Sequence, residues 1–182
     1  MHVSAPVWKR DLPDYGGTLA VSFRDLMEIR FVDFFISHGV SWTTLREAAR
    51  FAAGIVGSPH PFSTARFKTD GRRIFAEFTE ARLLDVRAEQ YAFPTVIDPY
   101  LYKGVVYESG NPARWFPIEN RRVVIDPAIG FGQPTITPEG VSTAILSKAA
   151  RVEKSVGLVA RWYEVPVASV QAAIEYENQL AA

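Results

Sequence analysis

The chain has 182 residues, 48% of them hydrophobic, with 20 basic side chains balanced by 20 acidic ones. That length supports one large core or two small ones, and the neutral total leaves any nucleic-acid affinity to local patches. Cysteine is absent, which excludes disulfides and thiolate metal sites and fits a reducing cytoplasm; no apolar run reaches the roughly 18 residues of a membrane span, and no signal-peptide apolar core opens the chain.

In chain order, residues 7–23 read as two extended pieces around Asp14-Tyr15-Gly16-Gly17. Ser22 is an N-cap with Asp25 three positions on, a relative of the capping box. The helix behind it sets Phe23, Leu26, Met27, Phe31, Phe34 and Phe35 on one face, and His38-Gly39 stops it. Ser41 caps a second helix whose inner side is Trp42, Leu45, Ala49, Ala52 and Val56, closed by Gly57. Ser58-Pro59-His60-Pro61 then breaks the chain. Residues 65–78 are expected as a β-hairpin turning at Asp70-Gly71, with Ile74, Phe75 and Phe78 as strand residues, and a short helix is expected near 80–92.

From Pro94 to Arg122 the chain is aromatic and reads as extended, with a turn at Ser109-Gly110-Asn111-Pro112. Val123-Val124-Ile125 is a short buried strand halted by Asp126-Pro127. A glycine turn at Gly130 and Gly132 leads to a second extended piece, Pro134-Thr135-Ile136. Helices near 142–153, 155–163 and 167–180 follow, the last opened by Pro166. Ala160, Val165 and Val170 fall at the small-residue, turn and core positions of a helix-turn-helix.

Two blocks resemble a known bacterial family. VVIDPAIGFGQP (123–134), the Val-Ser-Thr-Ala step at 141–144 and VARWYEVPVASVQAAIEYE (159–177) resemble the antitoxins of VapBC-like toxin–antitoxin modules, once described as a domain of unknown function. The block 22–75 is similar to the DNA-binding part of the longer antitoxins, which looks like a MerR-type winged helix-turn-helix. The resemblance implies a mainly helical α+β protein: a winged-helix-like N-terminal domain (1–93) lacking the first helix-turn-helix, extended linker strands (94–122), and a C-terminal three-helix, helix-turn-helix-like antitoxin domain with short strands (123–182). Longer relatives carry an upstream helix-turn-helix, of the form Ala-Ala-x-Leu followed by Arg-Trp. Here Val7-Trp8-Lys9-Arg10 matches the wing itself, so the helix that would enter the major groove is not expected.

The residues point to binding rather than catalysis. His2, His38 and His60 stand at no ligand spacing with one another or with a carboxylate, so no metal site is expected. No nucleophile elbow or phosphate-cradling glycine loop is present, and neither an enzyme nor a cofactor is expected. His38 reads as a helix C-terminal cap. The local basic supply for DNA is Lys9 and Arg10 on the wing, Arg46 and Arg50 on the second helix, and Arg66, Lys68, Arg72 and Arg73 on the hairpin. The alternative is ordinary solvated charge beside Asp11, Glu47 and Asp70. The last helix holds Glu175 and Glu177 and no Lys or Arg, so its helix-turn-helix suits protein contact rather than phosphates.

The function implied by the resemblance is a cytoplasmic antitoxin that neutralises a PIN-like ribonuclease by protein–protein binding, with autoregulation at operator DNA as a second expected activity. A stand-alone transcription regulator and a protein-only scaffold are the alternatives. Trp162 and Tyr163, with Arg151, Lys154 and Arg161, are the expected toxin-binding residues; Arg151 or Arg161 would enter the toxin's acidic, Mg-binding centre. The alternative places Trp162 in the core. Phe31, Phe34 and Phe35 are expected either at a homodimer interface or in the domain's own core.

Overall fold

The computed structural model describes residues 5–14, 16–81 and 99–181. Among them the protein is a mainly helical α+β structure with six α-helices and two small antiparallel two-stranded sheets. It divides into two compact units: Met1–Tyr102 with Tyr107–Pro112, and Lys103–Val106 with Ala113–Ala182. No helix among the described residues is long and apolar enough to cross a membrane.

The first unit is built on α1 (Phe23–Ser37), α2 (Trp42–Val56) and α3 (Ala65–Ala81). Ser22 caps α1 as a full capping box: its hydroxyl accepts the Asp25 N–H while the Asp25 carboxylate accepts the Ser22 N–H. His38 closes the helix, its Nδ1 lying 2.7 Å from the Phe34 carbonyl and its ring stacked on Phe34. Ser41 caps α2, and Gly57 ends it in the left-handed conformation that glycine adopts without strain. The core is aromatic: Phe35, Phe62, Phe67 and Phe75 meet edge to face at centroid distances of 5.1–5.5 Å, the arrangement favoured by the ring quadrupole. Leu45, Ala49 and Ala52 supply the inner face of α2, whereas Trp42 is half exposed and Val56 only partly buried.

Two expectations are corrected here. Residues 65–81 form a helix, not a hairpin. Phe67, Gly71, Ile74, Phe75 and Phe78 are buried at helical spacing, and the Thr64 hydroxyl caps the first turn by accepting the Phe67 N–H. Asp70-Gly71 is therefore interior to α3. The segment ahead of α1 contains no strand pair among its described residues, and no β-wing forms at Lys9 and Arg10. Side chains satisfy part of that backbone instead: the Asp11 N–H donates to Asp25. The helix expected near 80–92 lies, past residue 81, outside the described residues.

A hairpin of β1 (Val105–Glu108) and β2 (Asn111–Trp115) links the units, and a 3-10 turn, Pro99–Tyr102, precedes it. Its two loop residues, Ser109 and Gly110, both have positive φ, the sign pattern of a type I′ turn.

In the second unit, β3 (Val123–Val124) pairs antiparallel with β4 (Thr135–Ile136), with Val123 opposite Ile136 and Val124 opposite Thr135. Trp115 and Ile125 bridge at the edge. Helices α4 (Thr143–Glu153), α5 (Val156–Trp162) and α6 (Val167–Leu180) pack on one another, and α6 packs on this pair. Lys154 turns the chain in a left-handed conformation after α4, and the Ser155 hydroxyl caps α5 by accepting the Leu158 N–H. The Val165 N–H bonds the Ala160 carbonyl and Pro166 opens α6. Ala160, Val165 and Val170 are buried, as their helix-turn-helix positions require. Buried Thr143 donates to Glu177 at 2.5 Å, tying the start of α4 to α6.

Candidate functional site

The polar centre of the first unit lies at the N-terminus of α1. Asp25 is almost wholly buried, yet its carboxylate accepts four hydrogen bonds. Trp8 Nε1–H and His60 Nε2 reach Oδ1, both at 2.8 Å; the backbone N–H groups of Ser22 and Asp11 reach Oδ2 at 3.1 and 3.4 Å. Burial raises the Asp25 pKa, but the hydrogen bonds from His60, Trp8 and Ser22 outweigh it and hold the carboxyl well below the usual carboxylate range. Asp25 is therefore ionised and acceptor-only, so the His60 Nε2 is a donor.

Asp11 sits beside this pair. It takes the Ser22 hydroxyl at 2.8 Å and a forked contact from Arg24 at 3.0 Å on each oxygen. Its Oδ1 is 3.9 Å from His60 Nδ1. Asp11, Asp25 and His60 each bring a ligand-type atom within 4.8 Å of the others. The sequence-based expectation of no metal-ligand set is thus incomplete: positions 11, 25 and 60 share no local spacing and meet only through the fold. Asp25 is signalled by the capping box and His60 by its flanking prolines, but nothing in the sequence links them to Asp11.

One helical turn further along α1, Glu28 is fully buried and accepts the N–H groups of Phe62 and Ser63, both at 3.0 Å. Burial pushes its pKa up to about 7 despite those two donors. Asp25 and Glu28 together fasten the turn 60–63 to α1.

The expected DNA-binding residues are scattered. Lys9 and Arg10 are exposed on the N-terminal segment, with Arg10 paired to Asp14. Arg46 donates to the Ala5 carbonyl and lies over Trp42, while Arg50 is exposed on α2. On α3, Arg66 and Arg73 are seven residues apart in one row and Lys68 and Arg72 four apart in another. Arg73 is paired with Asp70 and Glu77, and Lys68 covers the rings of Tyr107 and Tyr102. They form no single basic stripe.

The expected toxin-binding residues are all at the surface. Arg151 and Lys154 are exposed at the end of α4, with Val152 exposed between them. Arg161, Trp162 and Tyr163 are exposed at the end of α5, Trp162 at 58% of its surface, which corrects the alternative that Trp162 is core. Phe31 and Phe35 are fully buried in the first unit's own core and present nothing to a second copy; Phe34 is partly buried against His38.

No protein-family model matches the chain, and no curated protein matches its sequence. Among solved structures, the crystal structure of Rv2018 from Mycobacterium tuberculosis is similar, with a TM-score of 0.75 at 21% identity, covering 93% of this chain and 85% of that one. The chain shares the fold of Rv2018, and at that identity the likeness extends to the fold alone.

Proposed function

We propose that the chain is the antitoxin of a type II toxin–antitoxin pair and neutralises a PIN-like ribonuclease by covering its acidic centre. The observation that carries this reading is the exposed end of α5. Arg161, Trp162 and Tyr163 stand in solvent together, and Arg151, Val152 and Lys154 are exposed at the end of α4. Tryptophan, tyrosine and arginine are the residues that anchor protein interfaces when buried by a partner. The sequence resemblance of 123–134 and 159–177 to antitoxins supplies the class of partner, and a basic group there has the charge to enter a carboxylate-lined metal site. The protein acts by occlusion and itself makes or breaks no covalent bond.

A stand-alone DNA-binding regulator is less well supported. Arg73 and Arg10 are paired with their own acids, and α6 carries no cation. Operator binding remains a secondary role of the first unit in this proposal.

Co-expression with the product of the adjacent open reading frame tests the reading. The two proteins should purify together, and the ribonuclease activity of the product should be lost. Trp162→Ala combined with Arg161→Glu should weaken the complex by about 30-fold or more, the effect of losing a hot-spot anchor. Undiminished nuclease activity at saturating concentrations of the folded chain would rule the antitoxin role out. A mobility shift on the upstream promoter, repeated at raised salt, tests the secondary role.

A further inference from the structure

We propose that Asp11 Oδ1 and His60 Nδ1 form a binding site for a divalent transition-metal ion, zinc by its donor set, with Asp25 as the positioning residue that orients the imidazole. Three observations carry it. First, with Nε2 held 2.8 Å from Asp25 Oδ1, the other ring nitrogen, Nδ1, is turned toward Asp11. A carboxylate that fixes one ring nitrogen while the other ligates is the usual outer support of a histidine-bound metal. Second, Nδ1 is buried and has no hydrogen-bond partner, in a residue only 1% exposed. A buried ring nitrogen and a carboxylate oxygen facing each other without a hydrogen bond call for positive charge between them.

The separation accommodates an ion. At 3.9 Å, Nδ1 and Oδ1 are too far apart for a direct hydrogen bond. A bridging water would set them at roughly 4.5 Å. Two ligands about 2.1 Å from one ion stand roughly 3.4 Å apart at the tetrahedral angle and up to about 4.2 Å when opposed. The observed 3.9 Å lies between those two values, at an angle of about 136°, so a tetrahedral ion would draw the two ligands closer by about 0.5 Å.

Third, Asp11 keeps a coordination position. Its Oδ2 is filled by the Ser22 hydroxyl and Arg24 Nε, whereas Oδ1 accepts only from Arg24 Nη2. Asp11 also lines a cleft of about 680 Å³ bordered by residues 6–13. One imidazole and one carboxylate suit zinc or its neighbours better than magnesium or calcium, which take oxygen alone. Bound there, the ion would join the N-terminal segment to the turn at His60.

Metal-stripped full-length protein, titrated with Zn²⁺ and separately with Co²⁺, tests the proposal. The expected result is one ion per chain, a visible Co²⁺ absorption band, and a rise in unfolding temperature with added Zn²⁺. Asp11→Asn and His60→Gln should each weaken binding by at least about tenfold. Arg24→Gln, which frees a lone pair on each Asp11 oxygen, should bind more tightly. Absence of saturable binding by the folded wild type would overturn the site and leave a proton or a water in the gap. Unchanged binding by folded Asp11→Asn would overturn it too, and that variant decides the matter if His60→Gln does not fold.

Discussion

Replacing Glu28 by Gln separates the two forces that act on this buried acid. Burial raises its pKa from 4.5 to about 7, so between those values the folded protein holds a proton that the unfolded chain has released. Stability is therefore greatest at the acid side of this window and falls as pH rises through it. With 1.36 kcal/mol per pH unit over that interval, the loss between pH 4.5 and pH 7 is on the order of 3 kcal/mol. Gln cannot ionise, so its stability should be nearly flat over the same window. Gln also turns an amide NH₂ toward one of the two backbone N–H groups that Glu28 accepts, orphaning a buried donor at a cost of about 1–3 kcal/mol. The variant should thus be weaker than wild type near pH 5 and approach or exceed it near pH 8. Urea unfolding at four pH values measures this, with amide exchange at Phe62 and Ser63 as the local probe. Parallel curves for the two proteins from pH 5 to pH 8 would refute the assignment of that slope to Glu28.

Other substitutions probe the remaining features. Phe35→Ala, in the centre of the edge-to-face cluster, should cost about 3–5 kcal/mol in chemical unfolding. Gly104→Ala should destabilise the second unit by more than about 2 kcal/mol. Position 104 has φ +77° and a Cβ there would lie 2.0 Å from the Phe116 carbonyl oxygen, so a near-neutral result would disprove that close approach. Thr143→Val removes the donor to Glu177 and should lower stability by about 1–2 kcal/mol, with little effect if the Glu177 carboxylate is solvated instead. Trp162→Ala should change thermal stability by no more than about 0.5 kcal/mol, since the side chain is mostly in water; a large loss would place it in the core after all.

Elements whose signal is local were legible in the sequence. Ser22 with Asp25, Ser41, His38-Gly39 and Gly57 mark helix ends by side-chain or backbone chemistry confined to one turn, and all of them act there in the structure. The three C-terminal helices follow from short apolar-patterned runs, with Ser155 capping the middle one and Pro166 preceding the last. The hairpin expected over residues 65–78 is a helix, because Asp70-Gly71 satisfies a hairpin turn as well as it tolerates a helix. The deciding signal was the longer period joining Phe67 to Ile74, Phe75 and Phe78, with Thr64 as cap. The N-terminal segment has strand-like composition but no strand among its described residues, and Trp8 and the Asp11 N–H donate to Asp25 of α1 instead. The acid–histidine centre was illegible for a different reason: its members come from three distant stretches, and only tertiary packing gives them a common neighbourhood.

The hairpin between the units has a consequence for how this gene can be cut or shuffled. Residues 103–106 and 113 onward belong with the C-terminal half, whereas 107–112 belong with the N-terminal half. No single break therefore yields both modules whole: a fragment ending at Tyr102 forfeits Gly110, whose carbonyl accepts the Ala65 N–H at the start of α3. Recombination that transplants the C-terminal module must carry this foreign loop along or sever its own first strand, which favours inheritance of the two halves as one piece.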